Sequence, residues 1–231
     1  MLEDSIPEQL SSRKPFATEL PSETPTGTSP ALLLISRIVS IVFTPFMAPL
    51  FTFVILFFFT YLRVFPLSYK LYILSLVSAY TVFIPMLTIY AYQKLTGGGI
   101  RALKLRHKRF APYLFTILSY IVCLITMYRM SLQRFMIGII LSTLICMILC
   151  TLTNLKWKIS THTASSGMMV GFLLSFGLYF YFNPILWLCG FILLSGLLGT
   201  ARIVLRHHTL LEVSLGFFVG LFCGIIGFLF L

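Results

Sequence analysis

A chain of 231 residues with 58% hydrophobic and only 10% charged side chains, at a mean hydropathy of +0.99, lies far from the roughly 45–50% apolar and about 25% charged make-up of soluble domains. An ordinary soluble fold is excluded. The net charge of +11 is unevenly placed: residues 1–30 carry five carboxylates against Arg13 and Lys14, whereas the remainder carries fifteen Lys or Arg and a single acid, Glu212.

Pro7, Pro15, Pro21, Pro25 and Pro30 stand among Ser, Thr and Glu in residues 1–30, a composition that predicts a disordered acidic tail ahead of a membrane domain spanning residues 31–231. A secretory signal is not expected, because acids precede the first apolar run and that run is too long. The intervals between formal charges then count the spans, since a transmembrane helix needs about 20 residues without exposed charge. Arg37 to Arg63 encloses 25 such residues, Lys70 to Lys94 encloses 23, Arg109 to Arg129 encloses 19, and Arg134 to Lys156 encloses 21. The first helix has a candidate interfacial start around Ala31 to Thr44. Pro45, Pro49 and Pro85 predict kinks that neighbouring helices satisfy.

Lys158 to Arg202 encloses 43 residues, enough for two helices with Asn183-Pro184 as the turn, and 25 residues follow Arg206. The fold class is therefore an all-α, polytopic transmembrane bundle of about six to seven spans. Gly216, Gly220 and Gly224 repeat every four residues on the last helix and predict a close-packing face. Cys123, Cys146, Cys150, Cys189 and Cys223 all lie in apolar runs without metal-ligand spacing and read as small core hydrophobes. Trp157 and Trp187 read as interfacial anchors.

Parity gathers the polar residues. Gln93–Phe110, Asn154–His162 and Ala201–His208 are each separated by two spans, so all three face one side. They hold ten of the Lys and Arg residues and all four histidines, with Glu212 just beyond; the opposite loops hold only Arg63, Lys70, Arg129 and Arg134. So many bases around one acid imply an anionic partner, either phospholipid headgroups or a phosphorylated substrate. Nucleic acid is not expected, because the bases are spread over short loops.

Glu212 lies four residues after His208, within reach on one helical face, and a carboxylate there can orient an imidazole as a nucleophile. A purely structural His–Glu pair is the alternative. His162 opens the fifth helix, where backbone N–H groups favour an anion, and could act as a general acid; a capped interfacial histidine is the alternative. Arg202, six residues before His208, could clamp phosphate or simply snorkel to headgroups. The run RALKLRHKR at 101–109 supplies more positive charge or reflects a cytoplasmic loop. Gly97-Gly98-Gly99 gives that loop flexibility, but no Lys-Ser or Lys-Thr follows, so it does not read as a nucleotide cradle.

These residues resemble the motifs of the type-2 phosphatidic acid phosphatase superfamily, membrane lipid phosphate phosphatases related to vanadium haloperoxidases, and in particular its short bacterial members. Ala201-Arg202, five residues, His208, three residues, Glu212 is similar to the third motif, with Glu in place of Asp. Ile159-Ser160-Thr161-His162 is similar to the second, with Thr in place of Gly. Lys104, six residues, Ala111-Pro112 keeps the lysine and proline of the first and loses its arginine, a charge that Arg109 or Arg106 could supply. The resemblance covers roughly residues 94–220.

The resemblance implies that His208 is a nucleophile forming a phosphohistidine, Glu212 its orienting partner and His162 the acid and base. It further implies that Arg202, Lys104, Arg106, Arg109 and Ser160 hold the phosphate, without metal or other cofactor. The expected function is a metal-independent hydrolase of a lipid phosphate or pyrophosphate in a membrane, with a bacterial inner membrane as the expected location. Polyprenyl pyrophosphate, phosphatidate, phosphatidylglycerol phosphate and phosphorylated lipid A are the candidate substrates. A non-catalytic anionic-lipid-binding or transport protein is the alternative. A phosphotransferase would need a paired-aspartate metal motif that this chain lacks. Which side the site faces stays open at this level, because the bases that would mark a cytoplasmic loop are also the expected phosphate ligands, and so does the oligomeric state.

Overall fold

The computed structural model describes residues 29–95 and 106–229, and every regular element among them is helical. The helices are α1 (Pro30–Val42), α2 (Ala48–Phe59), α3 (Leu67–Ser78), α4 (Ile84–Leu95), α5 (Arg106–Arg129), α6 (Arg134–Lys156), α7 (Thr161–Tyr179), α8 (Ile185–Val204) and α9 (Leu210–Leu229). The predicted tail falls almost entirely outside the described residues, as does Lys104.

Among the described residues, four helical rods are long and apolar enough to cross a membrane: Leu67–Tyr92, which joins α3 to α4, then α6, α8 and α9. The bent pair α1 and α2 raises the count to five. This is fewer than the expected six to seven. Helix α5 contributes a shorter apolar stretch, Tyr113–Arg129, over the part of it whose side chains are described. The first turns of α7 are rich in hydroxyls and glycine, and Thr163 to Leu173 is buried without interruption, so α7 is enclosed by protein rather than presented to lipid.

The proline kinks take distinct forms. A short 3₁₀ turn, Pro45–Met47, separates α1 from α2, whose axes meet at 41°. Pro85 has no N–H to give, and the turn before it, Ala79–Phe83, relaxes to a π-helix. Ser119 of α5 donates to the Tyr80 carbonyl at 2.5 Å, satisfying one backbone group of that turn. Asn183 accepts from the Ile185 N–H at 3.1 Å, forming the expected turn between α7 and α8.

Burial places α6 and α7 at the centre. Of the apolar windows, that of α6 is 67% enclosed and those of α3–α4 and α8 only 28% each. Helix α1 inverts the pattern of a soluble amphipathic helix. Its only buried residues are Ser36 and Ser40, while Leu34, Ile35, Ile38 and Ile41 face outward, an arrangement suited to a helix with lipid on one side and a polar interior on the other. Cys123, Cys146, Cys150 and Cys223 are core residues as expected, but Cys189 is exposed on the outward side of α8.

The closest helix pair is α7 with α9, and small residues make it possible. A Cβ at Gly220 would collide with the Ala164 carbonyl, one at Gly224 with that of Met168, and one at Gly216 would lie 2.6 Å from the Ser160 carbonyl. From the other side, Gly167 and Gly171 meet the backbone at Phe217 and Leu221. Gly199 of α8 joins the same junction, where a Cβ would stand 2.7 Å from Val213 Cγ1.

Gly220→Ala should therefore force the α7 and α9 backbones apart and destabilise the protein by about 1–3 kcal/mol, the usual cost of overpacking. Gly196→Ala, which meets open space, should be neutral or slightly stabilising. Thermal unfolding midpoints in detergent compare the two.

Candidate functional site

The α7–α9 contact fixes the polar residues at one end of the bundle. Asn154 Oδ1 accepts from the Ile159 N–H at 2.9 Å and directs the chain into α7. The next residue, Ser160, donates its backbone N–H to the Glu212 carbonyl at 3.3 Å, tying the start of α7 to the first turn of α9. Ser160 occupies the N-cap position of α7, yet its hydroxyl makes no cap hydrogen bond and stays available for something else.

On α9, Thr209 and Glu212 form a reciprocal capping pair. The Thr209 N–H donates to Glu212 Oε2 at 3.3 Å, and the Glu212 N–H donates to Thr209 Oγ1 at 3.4 Å. The same Glu212 oxygen lies 2.8 Å from His208 Nδ1. A carboxylate only accepts, so Nδ1 carries the proton and Nε2 is left with its lone pair. The carboxylate is held by backbone and threonine while it holds the ring, and only 10% of the His208 side chain remains exposed.

Arg202 reaches the site from the end of α8. The helix closes with the Arg206 N–H donating to the Ile203 carbonyl at 2.8 Å and the His207 N–H to the Arg202 carbonyl at 3.0 Å. Arg206 takes a left-handed φ of 51° there, a position usually given to glycine. This tight reversal returns the chain within a few residues, so Arg202 lies near enough to His208 to act on it electrostatically. Arg202 and Lys158 both act electrostatically on His208, and Arg202, His208 and His207 act on His162.

His162 is held from an unexpected direction. Its Nε2 lies 3.2 Å from the Ser40 carbonyl of α1; a carbonyl only accepts, so Nε2 donates and the neutral ring turns its Nδ1 lone pair into the interior. No partner meets that Nδ1. The two imidazoles are thus set in opposite tautomers, His208 by Glu212 and His162 by a backbone carbonyl.

Seven buried side-chain polar atoms lack a hydrogen-bond partner among the described residues, and five belong to this place: Ser40 Oγ, Thr44 Oγ1, Ser160 Oγ, His162 Nδ1 and Arg202 Nε. Each such atom costs about 1–3 kcal/mol when left unmet, so five of them on residues at this end of the bundle suit a polar ligand. Beneath them, one helical turn past His162 and Arg202, lies a narrow crevice with room for about one water molecule. Phe43, Phe51, Met169, Leu194 and Leu198 line it together with Thr44, Ser165 and Ser166.

Of the residues expected from the sequence, His208, Glu212, His162, Arg202 and Ser160 meet here. Arg106 and Arg109 fall in the first turn of α5. No group of three or more His, Cys, Asp or Glu able to hold a metal occurs among the described residues. Ser40 and Thr44 were not legible as site residues, and neither was Tyr113, whose phenol acts electrostatically on Arg202. Serine and threonine in an apolar helix carry no motif; the one available sign was Ser36, Ser40 and Thr44 recurring every four residues.

Burial pushes the His208 imidazole down to about 4, helped by Arg202 and Lys158 and opposed by the Glu212 hydrogen bond. The depressed value means that the unfolded chain binds more protons between about pH 6.5 and 4, so the contribution of neutral His208 to stability is full above that window and lost as pH falls through it. Histidine NMR should show half-protonation of His208 near pH 4. Arg202→Met should raise that midpoint and Glu212→Gln should lower it further.

Comparison with protein families, curated proteins and solved structures finds no match to this chain.

Proposed function

We propose that the protein is a metal-independent membrane phosphatase that removes phosphate from a lipid through a phosphohistidine on His208. The observation that carries this reading is the set of unpartnered buried polar atoms around two oppositely oriented imidazoles. Ser160 and Arg202 offer donors suited to phosphoryl oxygens, and arginine matches them with a planar fork. His208 presents an unprotonated Nε2, as a nucleophile requires.

In the proposed reaction His208 Nε2 attacks phosphorus, the P–O bond to the lipid breaks, and the leaving oxygen takes a proton from His162 Nδ1. That proton is absent from the neutral ring; an incoming phosphate dianion favours it by placing negative charge beside the imidazole. In the second half His162 removes a proton from water, the hydroxide attacks the phosphohistidine, and inorganic phosphate leaves with His208 restored. Arg202 neutralises the equatorial oxygens throughout.

A lipid substrate is supported by the apolar helices and by the location of the site at one end of the bundle. A phosphorylated headgroup would sit among the donors while its chain stays in the bilayer. A bacterial inner membrane is the location that the motif resemblance suggests, and the resemblance to the type-2 phosphatidic acid phosphatases also supports the assignment of roles.

Purified protein in detergent should release phosphate from at least one of phosphatidate, phosphatidylglycerol phosphate, polyprenyl pyrophosphate or phosphorylated lipid A. His208→Ala and His162→Ala should each lower turnover by about a thousandfold, as loss of a nucleophile or its proton partner does. Retained phospholipid binding with no turnover of any of these substrates would favour the non-catalytic lipid-binding reading.

A further inference from the structure

The phosphate ligands suggested by the motifs all come from residues after 100, yet two of the five unpartnered polar atoms belong to the segment at the start of the bundle. We propose that Ser40 of α1 is a further phosphate ligand: its hydroxyl donates to a non-bridging oxygen of the phosphoryl group held by Arg202 and Ser160, and α1 forms one wall of the site. This rests on the phosphoryl-binding reading above and adds a residue to it.

Three observations single out Ser40. It is only 7% exposed although it sits in a helix whose apolar residues point outward. Its carbonyl receives His162 Nε2 at 3.2 Å, which places the residue itself against the imidazole that handles protons. Its hydroxyl has no partner, unlike many buried hydroxyls in the helices of the bundle. Thr52, Ser142, Thr143, Thr151 and Ser195 each return their proton to the carbonyl four residues back, at 2.7–3.0 Å. Ser40 could close the same bond to Ser36 and does not.

A neutral donor in this position has a chemical advantage. A further cation beside His162 would oppose protonation of its Nδ1, whereas a hydroxyl stabilises phosphoryl oxygen without that penalty. Ser40 would thus serve the site twice, orienting His162 through its carbonyl and binding phosphate through its side chain.

Inorganic phosphate binding to the full-length protein in detergent, followed by calorimetry, tests the assignment alongside steady-state hydrolysis of the best lipid phosphate. Ser40→Ala should weaken phosphate binding and raise KM by about tenfold, the loss of one hydrogen bond to a charged group, with a thermal midpoint no lower than that of the ligand-free wild type. Ser40→Thr, which keeps the hydroxyl, should stay within about threefold of wild type, less than the loss of a whole bond. Ser36→Ala, on the same buried face one turn away, should leave both constants unchanged. Wild-type phosphate affinity in Ser40→Ala, or an equal loss in Ser36→Ala, overturns the role of Ser40 alone, and does so even if His208→Ala has abolished turnover. A wild-type protein that neither binds nor releases phosphate overturns this inference together with the phosphatase reading.

Discussion

The close approach of α7 and α9 is the constraint from which the rest of the site follows. Glycines on both helices let the backbones meet without intervening side chains. Only at that distance can the Ser160 N–H reach the Glu212 carbonyl. Because Ser160 is two residues from His162 and Glu212 is the partner of His208, a single backbone hydrogen bond sets the spacing between the two imidazoles. Gly199 draws the end of α8 into the same junction and brings Arg202 with it. Packing of this kind suits a membrane interior, where association between helices comes from close van der Waals contact rather than from expulsion of water.

Much of the fold was legible in the sequence because lipid imposes a simple rule. Charges are expelled from the spans, so the intervals between them located the helices, and Asn183-Pro184 marked its turn. Gly216, Gly220 and Gly224 identified the packing face of α9 through their spacing alone. The number of spans was less legible. Charge-free length does not distinguish a helix facing lipid from one enclosed by protein, and α7, with Thr163, Ser165 and Ser166 buried among its neighbours, is of the second kind.

The pairing of His208 with Glu212 could be anticipated from an i, i+4 spacing, and their proximity to Arg202 from a short connection. What could not be read was the reach of α1. A contact between the Ser40 carbonyl and His162 spans 122 positions and uses a backbone atom that every residue possesses. The bend at Thr44-Pro45 was foreseeable as a break, but not as the device that carries a polar helix face over the site. The cost of that face is visible in the unpartnered hydroxyls, and a bound oxyanion offers each of them an acceptor.

The central claim is that this polar pocket makes His208 a nucleophile towards phosphorus. Rapid acid-free quenching of the full-length protein during turnover of a lipid phosphate labelled with ³²P, followed by mapping of the labelled peptide, measures it directly. An acid-labile, alkali-stable label on His208, lost in His208→Ala, is the predicted result. Turnover with no label on His208, or with the label on a serine, would contradict it.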